Sequence, residues 1–295
     1  MQTIPEMASQ MVNKALSESS EDCSRTIFLV GSKSVGKSTM LYAFLEKTDI
    51  PRETLVLEYS FGRKSVNKQS IDKTICHVWE YGGKLDVLKN TLSSVPVLGK
   101  YYCFVMVDLK KIKNIWNTLE MCIATIKETY QGTGKEPELI IIGGKYDVFK
   151  NYDNEIKKIT CTTMRSVALT CNAHLLFYSA KEPQLVKKAK EMLYSIGFGN
   201  GFHTKEKNTN MAKPLVILKG SDSWESIGVA PSTMDMIKAR HQSKIAPEPE
   251  VAEDAAIARP QLTHPEPVLD SLASAKYEEL LNMDSFDFSI SNYLQ

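Results

Sequence analysis

The chain has 295 residues, 43% of them apolar and 24% charged, enough apolar material for a sizeable core in one large domain or one domain with extensions. Its net charge of +1 argues against a general binder of nucleic acid, and its longest apolar run, 101–107, is far short of the ~20 residues a membrane-spanning helix needs. The six cysteines (Cys23, Cys76, Cys103, Cys122, Cys161 and Cys171) contain no Cys-x-x-Cys pair and no zinc spacing, which excludes a disulfide scaffold or zinc module and fits a reducing compartment. The near-neutral total conceals two unlike parts. From Pro247 onward ten acids and two bases leave −8, so the first 246 residues carry +9.

In chain order, residues 1–24 are polar, lack the apolar stretch of a secretory leader, and read as a flexible arm. From 25 to 200, short apolar β-branched runs alternate with longer amphipathic ones. Strands are predicted at 26–30, 55–59, 74–79, 103–108, 139–142 and 175–178, and helices at 37–47, 84–93, 112–130, 152–172 and 184–196. Several strand runs are wholly apolar, as strands buried on both faces are. This alternation implies an α/β fold, a mostly parallel sheet with helices on both faces, and places function in the loops after the strands. Residues 201–245 form a weaker extension, in which 214–219 could add one more strand and Ser-Asp-Ser-Trp-Glu-Ser-Ile-Gly (221–228) reads as a loop. A Pro/Ala/Glu-rich linker follows at 246–267. The last segment, 268–295, combines an amphipathic helix with an acidic tail. Leu269, Leu272, Ala273, Tyr277, Leu280 and Leu281 share one helical face, which favours docking on a partner or on the domain.

Gly31-Ser32-Lys33-Ser34-Val35-Gly36-Lys37-Ser38 matches Gly-x-x-x-x-Gly-Lys-Ser/Thr in full, between a strand and a helix. Gly31 and Gly36 let the backbone curl so that its N–H groups, with those of Ser34 and Thr39, point at phosphate oxygens. The helix N-terminus adds positive potential, Lys37 reaches the outer phosphates, and the Ser38 hydroxyl ligates Mg²⁺. Three later signals choose among phosphate-loop proteins. Lys145 and Asp147 follow the 139–142 strand, where guanine-binding proteins carry Asn/Thr-Lys-x-Asp. Ser179-Ala180-Lys181 follows the 175–178 strand, where backbone N–H groups meet the guanine oxygen. Trp79-Glu80-Tyr81-Gly82-Gly83 stands where such proteins have Asp-x-x-Gly. In this order they indicate a Ras-like P-loop G domain on a six-stranded sheet, with a C-terminal extension. GDP or GTP with Mg²⁺ is the expected ligand, occupancy left open, and Thr54 is the candidate second hydroxyl on the metal. The departures point away from catalysis. Glu80 replaces the aspartate, Lys84 stands where a water-orienting glutamine belongs, and lysine accepts no hydrogen bond. Gly144 removes the side chain that braces the loop from its strand. Hydrolysis is expected to be weak or absent, and no catalytic residue is assigned.

The runs Leu57-Glu58-Tyr59-Ser60-Phe61-Gly62-Arg63-Lys64, Trp79-Glu80-Tyr81-Gly82-Gly83 and Ile142-Gly143-Gly144-Lys145-Tyr146-Asp147-Val148-Phe149 resemble the light intermediate chains of cytoplasmic dynein, closest to the ciliary dynein-2 branch. Lys213-Pro214-Leu215-Val216-Ile217 and 223–228 look like that branch's extension, and the resemblance covers roughly 25–240. It implies a non-catalytic motor subunit whose Ras-like domain binds the dynein-2 heavy chain tail. The other dynein-2 subunits and intraflagellar transport trains would be further partners. The implied places are the cytoplasm, the cytoskeleton, and the axoneme and basal body of the cilium, with no nucleic acid bound and no membrane insertion. Against the family pattern, 121–137 is short and the C-terminal region is Pro/Ala-rich and acidic. The alternatives are a regulatory GTPase switch that slowly hydrolyses GTP, and an ATP-dependent kinase or ATPase, against which Asp147 and Ser179 argue. His77, His174, Cys76 and Cys103 read as packing residues and Trp79 as core beneath the phosphate-side loops. The basic stretch 181–190 reads as a solvated face, with docking to an acidic helix as its sharper alternative.

Overall fold

The computed structural model describes residues 24–65, 73–199, 201–202, 207–247 and 267–281. Contacts divide the chain into two units, Met1–Glu248 and Pro249–Gln295, each treated by itself.

The first unit begins with β1 (Arg25–Gly31), whose five central residues are buried. The phosphate loop leads into α1 (Lys37–Phe44), which turns Met40, Leu41 and Phe44 inward. β2 (Leu57–Ser65) and β3 (Lys73–Tyr81) are antiparallel. Next come α2 (Leu88–Ser94), β4 (Lys100–Asp108), α3 (Ile115–Tyr130), β5 (Glu138–Gly144) and the single turn α4 (Tyr146–Phe149). α5 (Asn154–Thr170), β6 (His174–Phe177), α6 (Pro183–Phe198) and β7 (Val216–Ile217) complete the sheet layer, and α7 (Trp224–Ile227) and α8 (Met234–Gln242) close the unit.

The strand order is β2-β3-β1-β4-β5-β6-β7. The four interior pairings are parallel, and only the pairings of β2 and β7 are antiparallel. Side chains alternate between two cores, as strand geometry requires. Phe28, Val30, Val105, Val107, Ile141 and Leu175 face the side of α3 and α5. Ile27, Leu29, Phe104, Met106, Ile140 and Ile142 face the side of α1 and α6. The Ras-like α/β architecture is thus present, with seven strands where six were expected. The seventh is the candidate at 214–219, shortened to Val216–Ile217. The second strand runs later than 55–59, to Leu57–Ser65. An edge strand alternates exposed and covered residues, so it lacks the apolar run by which interior strands are read.

Trp79 is half-buried rather than core. It sits one strand in from the sheet edge, its ring 4.7 Å from that of Tyr59. Cys76, Cys103, Cys122 and Cys161 behave as small buried apolar residues, and burial pushes their thiols up to about 12. His174 is a packing residue. Its Nε2 lies 2.7 Å from Glu138 Oε1, its Nδ1 accepts from the Lys219 N–H, and burial lowers its pKa.

The segment 207–247 packs on α3 and α5. β7 carries Ile217 into the core beside Leu215. The loop expected at 221–228 contains α7, capped by the Ser223 side chain accepting from the Ser226 N–H. α8, which no periodicity announced, starts at the Thr233 cap and buries Ile237 and His241. Its Lys238 reaches both oxygens of Glu120, which also accepts from Trp116 Nε1. The strongest tie is Arg165 on α5, whose Nε and Nη2 donate to the two oxygens of Asp222 at 2.8 and 2.7 Å. Both side chains are buried, at 8% and 4% exposure.

In the second unit α9 spans Pro267–Leu281, close to the expected helix, and Val268, Leu269, Leu272 and Tyr277 are exposed. Asn282 and the residues after it lie outside the described residues, as do 1–23 and 248–266.

Burial pushes the Asp222 carboxyl up, but the hydrogen bonds and charge of Arg165 outweigh it and leave its pKa lowered. A lowered carboxylate contributes stability above its unfolded value, and that contribution is lost as pH falls through the folded one. Arg165→Met should cost about 3–5 kcal/mol in urea unfolding at neutral pH, because it strands a buried carboxylate. The deficit should shrink at pH values low enough to protonate Asp222 in both proteins.

Candidate functional site

The carboxyl ends of β1, β3, β4 and β5 converge on the phosphate loop. Gly31 has φ +135°, and a Cβ there would lie 1.9 Å from the Met106 carbonyl oxygen, so no other residue fits. Ser32 donates its N–H to that same carbonyl at 2.8 Å. Gly36, at φ +105°, turns the chain into α1, whose first N–H groups lie at the loop.

Beside the loop is a cavity of about 230 Å³. The loop residues Ser34, Gly36, Lys37, Ser38 and Thr39 line it, and Thr54 and Glu80 face them. Lys37 Nζ donates to the carbonyls of Gly31 and Ser32 at 3.2 and 3.0 Å. Ser38 Oγ donates to Glu80 Oε1 at 2.7 Å, and Thr54 Oγ1 donates to Glu58 Oε2 at 3.2 Å. Burial pulls the Lys37 pKa down against the raising charge of Glu80. Burial pushes the Glu80 pKa up against the Ser38 hydrogen bond and Lys37. Both groups are therefore driven towards their neutral forms. An anion beside Lys37 and a divalent cation beside Glu80 would each favour the charged form. The donor set thus fits a phosphate with a hard cation: Lys37 and the loop N–H groups for the anion, and the oxygens of Ser38, Thr54 and Glu80 for the metal.

The base-side residues form a second cluster. Asp147 accepts from Ser179 Oγ at 2.7 Å, and Lys181 Nζ lies 3.4 Å from its other oxygen. Burial pushes the Asp147 pKa up, but these partners outweigh it and leave it lowered. The carboxylate is thus held ionised at neutral pH, ready to accept two N–H groups from a base edge. The Lys181 N–H turns back to Ser179 Oγ at 3.1 Å. Ala180 lies between them on the exposed side of the turn.

Lys145 takes a left-handed backbone at φ +60°, and its Nζ lies 2.9 Å from Asp108 Oδ2. Asp108 is a residue the sequence analysis did not single out. Its side chain is 1% exposed, its Oδ1 accepts from the Lys110 N–H at 2.8 Å, and its own N–H donates to Ser32 Oγ. It ties the phosphate loop to the base-side lysine. The signal was there to read: an acid ending an apolar parallel strand at its carboxyl end.

Gly144, expected to leave the loop without a brace, allows a different one. A Cβ at Gly144 would lie 2.5 Å from Val35 Cγ2 and 3.1 Å from Met106 Cε. The space that a bracing side chain would fill is taken by Val35 from the loop itself. Lys84 is exposed, and its carbonyl accepts from the buried Tyr81 hydroxyl. Its position after Gly83 supplies a cation and no acceptor.

The sequence profile of the Ras family matches residues 26–196. The cytoplasmic dynein 2 light intermediate chain 1 of Danio rerio is 30% identical over 305 aligned residues, covering 87% of this chain and 84% of its own. The chain belongs to the dynein-2 light intermediate chain family, built on a Ras-family domain. The Homo sapiens protein of the same name is also 30% identical, covering 77% of this chain and 74% of its own. A solved dynein light intermediate chain conserved domain superposes at a TM-score of 0.45 and 14% identity, covering 77% of this chain and 92% of that one, too distant to add to the sequence matches. The Ras-family match ends at 196, so β7, α7 and α8 lie beyond it. Among the described residues no helix is long and apolar enough to cross a membrane.

Introducing the asparagine that guanine-binding proteins carry there, with Gly144→Asn, should destabilise this light intermediate chain by about 1–3 kcal/mol, because Val35 already fills the space. Adding Val35→Ala should recover a measurable part of the loss, read by chemical unfolding of the single and double variants.

Proposed function

We propose that this chain is a non-catalytic subunit of the dynein-2 motor. Its Ras-like domain grips the heavy chain tail, and the motor carries intraflagellar transport trains back along the cilium. The reading rests on family membership together with one observation. Motif positions expected to bind a nucleotide line the cavity or cluster at Asp147, while the position expected to orient an attacking water is the exposed Lys84. Binding parts without a water-positioning part support a nucleotide kept as a structural plug. GDP or GTP with Mg²⁺ would tie α1 to the Thr54 segment and stabilise the domain without turnover. The segment 207–247, packed on α3 and α5, would extend the grip beyond the Ras-like domain. Its sites of action would be the cytoplasm, the axoneme and the basal body.

A second reading is a GTPase switch with effectors of its own, favoured by the ionised Asp147 held by Ser179 and Lys181. The two readings differ in what travels with the protein. Gentle purification of the tagged chain from ciliated cells should bring down a dynein heavy chain in near-stoichiometric amount, in GDP and GTP analogues alike. Exchange factors or nucleotide-selective effectors in its place would make the switch reading the better one. With purified protein, GDP and Mg²⁺ at about a hundredfold over Kd should add about 2.7 kcal/mol of stability. Ser38→Ala should abolish most of that gain, and phosphate release from GTP should stay at the uncatalysed level.

A further inference from the structure

β2 is the terminal strand of the sheet, and no other described strand pairs with its outer edge. It is nine residues long and contains no proline, whereas unprotected edges are usually short, bulged or broken by proline. The backbone shows which residues serve that edge. Gly82 donates its N–H to the Val56 carbonyl at 2.9 Å, continuing the register in which Leu57 faces Tyr81. Hydrogen-bonded pairs alternate along an antiparallel ladder. Glu58, Ser60, Gly62 and Lys64 therefore turn their N–H and C=O groups to β3. Leu57, Tyr59, Phe61, Arg63 and Ser65 turn theirs to the open side. Tyr59 and Phe61 are 44% and 58% exposed, with stacked rings 6.2 Å apart, and Ile75 on the neighbouring strand continues the patch.

We propose that this edge is a homotypic interface, at which a second copy of the chain adds its own β2 antiparallel about a two-fold axis at Phe61. The antiparallel register that uses the whole strand sets Leu57 against Ser65 of the second copy and Phe61 against itself. In that register every residue with outward backbone groups meets another of the same kind, so each such pair exchanges both hydrogen bonds. The side chains agree. Glu58 falls opposite Lys64 of the second copy, an opposite-charge cross-strand pair. Tyr59 falls opposite Arg63, a cation beside an aromatic ring. Sliding by one pairing step sets Glu58 against Gly62 and loses the charge match. The strand carries an acid near one end and two bases near the other, so an antiparallel strand that complements it has the same pattern. A uniformly acidic or basic partner strand would satisfy only one end. Glu58 and Lys64 are both exposed, and pairing with the second copy would exchange the contact of Glu58 with the Thr54 hydroxyl and that of Lys64 with the Tyr194 ring. This interface needs no heavy chain.

The test is sedimentation velocity of the purified full chain over roughly 1–100 µM, since a strand-sized interface belongs to the weak class. A reversible monomer–dimer equilibrium is expected. Phe61→Lys, which sets two like charges face to face, should raise the dissociation constant about tenfold or more. Glu58→Lys and Lys64→Glu should each weaken the dimer, and the two together should restore it, because the swap rebuilds both pairs. Thermal unfolding of each variant checks that the fold persists. A monomer across the whole range, or a dimer indifferent to all four variants, would overturn the proposal.

Discussion

A phosphate loop keeps its curl only if something beneath it forbids the alternatives. In this chain that constraint comes from β4 and β5. The Met106 carbonyl receives the Ser32 N–H and lies so close to Gly31 that a Cβ would overlap it. Val35 fills the space above Gly144, and Asp108 joins Ser32 to Lys145. The loop is thus seated by backbone contact, apolar packing and an ion pair on the buried Asp108. Lys37, Ser38 and the base-side cluster all take their positions from that seat.

The electrostatics of the seat fit an anion and a cation held together. Lys37 and Glu80 are both driven towards neutrality by burial, so the cavity gains most when an anion and a cation arrive together. Mg²⁺ with a nucleotide diphosphate satisfies both demands and requires nothing further. Hydrolysis needs a group that orients water, and the residue after Gly83 projects a cation into solvent. An adaptor that uses its ligand as a structural element would retain the first arrangement and lose the second without penalty.

The interior of the fold was legible because burial on both faces leaves unbroken apolar runs, and β1, β4 and β5 announce themselves that way. Edges were not. β2 is an edge strand, so the run at 55–59 looked like the strand while Ser60 to Ser65 did not. β7 is two residues long, and its place is set by pairing with β6 rather than by its own pattern. α8 depends on the Thr233 cap and on a few contacts with α3 and α5, which no local periodicity reports. In the site, motif positions were readable because phosphate binding fixes residue types at fixed spacing. Asp108 and the Val35–Gly144 contact were not, because their meaning depends on which strands lie side by side.

The tie between Arg165 and Asp222 has a consequence in time. The Ras-family match ends at residue 196, but the chain must reach Gln242 before α8 is complete and can cover α5. At about 5–20 residues per second of synthesis, that interval lasts several seconds. In its first half, before Val216, Ile217 and Asp222 have been made, the open side of β6 and the guanidinium of Arg165 have no partner from the extension. The nascent domain is therefore most exposed to misassociation after its Ras-like portion is complete, a period in which a chaperone or an early-binding subunit has its opportunity.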